Sequence, residues 1–271
     1  LLLLFTKEVL TFFMNLSLSG KNVLITGGSK GIGLACAKVL QAEAARIAIC
    51  SRSQSNLDAA AAELPGVIGL AADLTDAAAA AAMVEAATRL LGPIDILVNS
   101  AGAAKRTPPD ELTPAAYRAA MDAKFFSYMN VIDPVIKTMA ARGSGVVINI
   151  IGNGGKVASP VHIAGGAANA ALMLATAGLG AAYANRGVRV VGLNPGLTET
   201  GRVAEGMEST ARAAGITVEQ ARAESVGRIP MGRMAAPEEI ANAVAFLASD
   251  RASYITAVNI SMDGAASPVV V

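Results

Sequence analysis

Between residues 26 and 33 the chain reads Thr-Gly-Gly-Ser-Lys-Gly-Ile-Gly, with a β-branched run before it and an Ala-rich stretch after it. Gly27, Gly31 and Gly33 let a backbone turn tightly and approach a diphosphate, whose charge then meets the free amides of a helix N-terminus. Ser29, Lys30 and Ile32 complete that turn. About 20 residues further on, an NAD(H) site places a carboxylate to hold the ribose 2′-hydroxyl. Here the second β-branched run ends instead in Cys50-Ser51-Arg52. Arg52 and Lys30 suit a 2′-phosphate, and a guanidinium grips phosphate through two parallel bonds. The residues therefore favour NADP(H), with NAD(H) the lesser alternative. A second group of polar residues follows the fifth β-branched run: Asn153, Lys156, Ser159 and the sole histidine, His162. A histidine of reference pKa ~6.5 suits proton donation near neutrality. One histidine and two cysteines give no basis for a zinc centre, so no metal is expected. Cys36 and Cys50 lie inside apolar runs and read as buried thiols in a reducing, cytoplasmic setting.

Positioning these groups requires a sheet. Short apolar runs at 22–26, 46–50, 66–70, 94–99, 146–151, 188–193 and 257–261 read as seven strands, mostly without polar alternation, as in parallel strands covered on both faces. Helices are expected at 31–44, 54–63, 76–91, 113–140, 164–185 and 237–248, two of them opened by Pro114 and Pro237 in the first turn. This alternation predicts an α/β fold, one Rossmann-type doubly wound domain with a seven-stranded parallel sheet over residues 14–271. The stretch 200–233 carries five glycines after the sixth strand and reads as a mobile substrate lid over the ligand crevice. Residues 1–13 are apolar but interrupted by Lys7 and Glu8, fall short of the ~20 residues of a spanning helix, and read as an extension to the domain.

The 22 basic and 21 acidic residues leave a net charge of +1 without a basic block, which argues against a nucleic-acid partner. No membrane partner is expected either. Only 16% of the chain is charged, against about 25% in ordinary soluble domains. So little charge predicts surface buried between copies in a homo-oligomer, a dimer or tetramer.

Four motifs occur in register: the 26–33 turn, Asn99-Ser100-Ala101-Gly102, Asn194-Pro195-Gly196 followed by Thr198 and Thr200, and Pro237-Glu238-Glu239-Ile240 leading to Met262-Asp263-Gly264. Together they resemble the short-chain dehydrogenase/reductase family over about residues 19–265. The resemblance implies that Asp73 and Leu74 border the adenine and that Asn99, Ala101 and Gly102 line the cofactor floor. It implies that Pro195, Gly196, Thr198 and Thr200 hold the nicotinamide end, and that the 4-pro-S hydride passes to a small-molecule substrate. The family works through an Asn–Ser–Tyr–Lys tetrad, in which tyrosine gives the proton. At the matching positions this chain has Lys124, Gly152, Gly165 and Asn169. The asparagine and lysine are exchanged, so Lys124 reaching in from the other helix would set its ammonium where the family's lysine stands. Lys124 and Asn169 then orient ribose and substrate, and His162 or water supplies the proton. The leading expectation is an NADP(H)-dependent oxidoreductase acting on a carbonyl or conjugated double bond. Two rivals stand beside it: a cofactor-binding pseudoenzyme or redox sensor, and a non-redox lyase or isomerase.

Overall fold

A computed structural model describes residues 15–102 and 107–269. The extension at 1–13 lies outside the described residues. Seven strands run in chain order: β1 (Asn22–Thr26), β2 (Arg46–Ser51), β3 (Ile68–Ala71), β4 (Ile96–Asn99), β5 (Gly145–Ile150), β6 (Val188–Pro195) and β7 (Val258–Met262). They form one sheet of order β3-β2-β1-β4-β5-β6-β7, and every pairing is parallel. The doubly wound, seven-stranded architecture is as the alternation of runs predicts. Strand order reverses between β1 and β4, so the crevice opens there, beyond the C-terminal strand ends.

Nine α-helices occur among the described residues: α1 (Gly31–Ala42), α2 (Gln54–Glu63), α3 (Ala77–Leu91), α4 (Pro114–Ala120), α5 (Ser127–Arg142), α6 (Ile163–Tyr183), α7 (Gly201–Ala214), α8 (Val218–Gly227) and α9 (Pro237–Ala248). Side chains of α1, α2 and α9 form one apolar core with Ile25, Ile49 and Val191 of the sheet. Those of α3, α5 and α6 form the other, with Leu24, Leu97 and Val147. The alternate residues of β1, β2, β4, β5 and β6 thus feed both cores, which is why these strands read as unbroken apolar runs. The stretch Ile163–Arg186 is long and apolar enough to cross a membrane by composition. In the fold it lies along β6, with Leu172 and Met173 in the core.

One expectation is modified. The helix expected over 113–140 is interrupted by a π-helical segment, Met121–Phe126, joining α4 to α5. In the glycine-rich stretch 200–233, α7 and α8 occupy most of the residues. Gly215 ends α7 in a left-handed conformation, Thr217 and Gln220 close a capping box on α8, and a bridge between Thr198 and Ala235 shuts the excursion at its base.

Candidate active site

A cleft of about 680 Å³ runs along the C-terminal strand ends. At one end it is walled by the 27–32 turn, Ser51, Arg52 and residues 72–75. At the other it is walled by residues 100–102, Lys124, Ser127, Ile150, Gly152, Pro195, Gly196, Thr198 and the first residues of α7.

The first end is shaped to take a diphosphate. Gly27 has φ +66°, and a Cβ there would stand 2.8 Å from the Ala101 backbone, so only glycine admits the close approach of turn and loop. A Cβ on Gly33 would meet the Gly27 carbonyl, so its absence lets α1 tuck under the turn. Lys30 occupies the N-cap of α1 without a side-chain capping bond, leaving first-turn amides for an anion. Exposed Lys30 and Arg52 both border the cleft. Asp73 accepts bonds from the Thr75 amide (3.0 Å) and hydroxyl (2.9 Å). Those bonds, with the nearby Arg52 charge as a smaller cause, hold its carboxyl below the usual carboxylate range. The residues present therefore fit a dinucleotide, and the absence of a carboxylate at the end of β2 leaves room for a 2′-phosphate.

Beneath the cleft floor lies a row of buried polar groups at the tips of three strands. Thr26, Asn99 and Asn149 are register partners across β1, β4 and β5. The Thr26 hydroxyl donates to Asn99 Oδ1 (3.2 Å), Asn99 Nδ2 to Asn149 Oδ1 (3.0 Å), and Asn149 Nδ2 to Thr176 Oγ1 on α6 (2.9 Å). The Ser100 and Ala101 amides turn back onto Thr26 Oγ1, which shapes the loop after β4. Asn99 thus supports the floor from below rather than lining it.

At the far end the π-helical segment turns Lys124 inward, to 7% exposure. Its ammonium donates to the Tyr128 hydroxyl (2.8 Å) and to the Ile150 carbonyl (2.9 Å), and lies 4.5 Å from the Tyr128 ring centre. Tyr128, fully buried, donates to the same carbonyl at 2.6 Å. Burial, helped by the charge of Arg202, brings the Lys124 ammonium down to about 7, whereas burial pushes the Tyr128 phenol up.

Among the described residues the cleft wall includes every expected cofactor residue except Gly33 and Asn99, and it includes Lys124. His162 and Asn169 are not on it. His162 is the half-buried N-cap of α6, and Asn169 is buried on the next turns. Both stand beside the Gly152–Gly155 loop: a Cβ on Gly154 would lie 3.2 Å from His162 Cδ2 and 3.5 Å from Asn169 Nδ2. Asn153 and Lys156 tie that loop down, to Asp263 and Ser267 and to Asn259 and Ser261 respectively. Gly165 is buried on α6. Sequence reasoning missed Tyr128, Asn149, Thr176 and Arg202. The i,i+4 spacing of Lys124 and Tyr128, and polar residues closing apolar strands, were the available signals.

Residues 21–210 match the family model described as short chain dehydrogenase. The chain is 34% identical to D-threitol dehydrogenase of Mycolicibacterium smegmatis, over 91% of this chain and 93% of that one. It is 32% identical to bovine (Bos taurus) L-xylulose reductase, over 93% and 98%. Among solved structures it resembles an actinorhodin polyketide ketoreductase variant with NADPH, with a TM-score of 0.89, 28% identity, and coverage of 92% of this chain and 98% of that one.

Proposed function

The chain belongs to the short-chain dehydrogenase family, and from that membership we propose that it is an NADP(H)-dependent oxidoreductase reducing a carbonyl or conjugated double bond of a small molecule. The observation that carries this reading is the continuity of one cleft from Arg52 and Lys30, through the glycine turn, to Lys124 and Pro195. When bound there, NADPH supplies a hydride.

The chain's own residues do the rest. Arg52 and Lys30 hold the 2′-phosphate, the first-turn amides of α1 hold the diphosphate, and Asp73 and Leu74 border the adenine. Pro195, Gly196, Thr198 and Thr200 hold the nicotinamide end. Lys124 orients ribose and substrate there, and Asn169 supports the loop that carries Gly152. The relatives named for polyol and ketose chemistry, together with the polyketide ketoreductase, favour a carbonyl over a double bond as the acceptor. The replacement of the family's tyrosine position by Gly165 favours one rival, a protein that holds the cofactor without turning it over. Incubation with NADPH and a panel of ketones, quinones and enones separates the two. Consumption of NADPH in step with one acceptor supports the oxidoreductase, and tight binding without consumption supports the rival.

A further inference from the structure

With glycine at the tyrosine position, the reaction needs another source for its proton. The source must lie on the cleft wall near Pro195 and Gly196. Among the described wall residues, Lys30, Arg52 and Asp73 belong to the opposite end. The Ser127 hydroxyl is committed to the carbonyls of Ala123 and Lys124. Arg202 keeps its proton at any working pH, and His162 is not on the wall. Lys124 remains.

Its geometry is specific. An ammonium has three hydrogens. One goes to Tyr128 Oη and one to the Ile150 carbonyl, and the third is left to the cleft that Lys124 lines. Tyr128 gives its own proton to the same carbonyl, so its oxygen can only accept from Lys124. The resulting triangle fixes the last torsion of the lysine side chain. Tyr128 is wholly buried and does not reach the cleft itself.

We propose that Lys124 gives the proton to the substrate oxygen and that Tyr128 is its positioning residue, a proposal that rests on the redox reading above. As a carbonyl carbon accepts hydride, the C=O π pair moves to oxygen. An N–H bond of the ammonium breaks, an O–H bond forms, and the nitrogen keeps the electron pair. The products are the alcohol, the oxidised dinucleotide and a neutral amine, which takes a proton back from water in the open cleft. A buried ammonium with no carboxylate beside it releases a proton near neutrality, which suits this role. The charged and titratable groups on the elements around Lys124 include Tyr117 and Arg118 on α4, exposed Asp122 on its own segment, Tyr128 on α5, His162 at the N-cap of α6, and Arg202 and Glu205 on α7. The β5 side offers only the Ile150 carbonyl.

The test uses the full chain, with Lys124→Ala, Tyr128→Phe, and lysine labelled with carbon-13 at Cε. Lys124→Ala should lower kcat by about 100-fold or more, and added ethylamine should restore part of the loss. Tyr128→Phe removes an acceptor that stabilises the ammonium. The high-pH limb of kcat, and the Lys124 Cε titration in the nucleotide-free protein, should therefore both move to lower pH. Turnover within about threefold of the parent in Lys124→Ala would overturn the proposal. So would a Lys124 signal that stays in its charged form to about pH 9, or one that Tyr128→Phe leaves in place. If Lys124 titrates near neutrality in a protein that binds NADPH yet reduces nothing, the redox reading fails, and the donor role fails with it.

Discussion

Arg52 stands at the end of β2, where a carboxylate would otherwise hold a free ribose hydroxyl, and it shares the cleft with Lys30. Removing a charge-assisted contact to phosphate costs about 1.5–3 kcal/mol, so Arg52→Ala should weaken NADPH binding by roughly ten- to a hundredfold. NADH affinity should change little, and fluorescence titration with both nucleotides reads the difference. Lys124 permits a test independent of any ligand. In the fold burial brings its pKa down to about 7 from the ordinary 10.5, so between those limits the unfolded chain binds more protons than the folded one. Stability from this group therefore rises with pH across that window and is lowest below it. The urea midpoint of the parent should climb relative to that of Lys124→Met as pH rises from about 7 to about 10. A constant difference would place the lysine in a less buried setting. The glycines of the turn, Arg52 and the Pro195–Thr200 segment were legible in the sequence because each sits at a strand end whose backbone must bend or face a ligand. Tyr128 was not, because its partners Lys124 and the Ile150 carbonyl meet only once β5 is packed against the helix.

The strands were legible at the scale of elements because both faces of a parallel sheet are apolar, and polar residues such as Asn99 and Asn149 appear only at the tips. The π-helical segment was not. Its residues carry no signal of their own, and the extra residue in the turn goes with the packing of α4 and of the segment itself against α6 rather than with local propensity. The tips of the strands depend on one another: Asn149→Ala would leave Asn99 Nδ2 and Thr176 without their partner in a buried row. Leaving such groups unmet costs about 1–3 kcal/mol, which equilibrium urea denaturation would show as a lowered midpoint with the slope unchanged. The excursion 200–233 reads as a lid in the sequence because it follows a strand's C-terminal end, and in the structure α7 and α8 occupy most of it. Thr200, Arg202, Val203 and Glu205 of this excursion border the cleft, so NADPH should slow amide hydrogen exchange in the first turns of α7. Unchanged exchange there would remove α7 from the cofactor site.

Over the whole molecule, few charges cover a largely apolar chain, and the exposed apolar side chains include Leu174 on α6 at 77% and Phe126 beside α5 at 45%. A homo-oligomer that buries these two neighbouring helices accounts for both facts. Light scattering should give the mass of a dimer or tetramer, and Leu174→Glu should lower it; a monomer at micromolar concentration would contradict this. One measurement tests turnover of the cofactor most directly. NADPH and NADH are titrated onto the purified protein, and each complex is then mixed with the panel of ketones, quinones and enones while reduced-nicotinamide absorbance is followed. The expected result is NADPH binding about tenfold or more tighter than NADH, with absorbance lost in step with one carbonyl acceptor. Equal affinity for the two nucleotides, or NADPH held tightly and consumed with none of the acceptors, would contradict it.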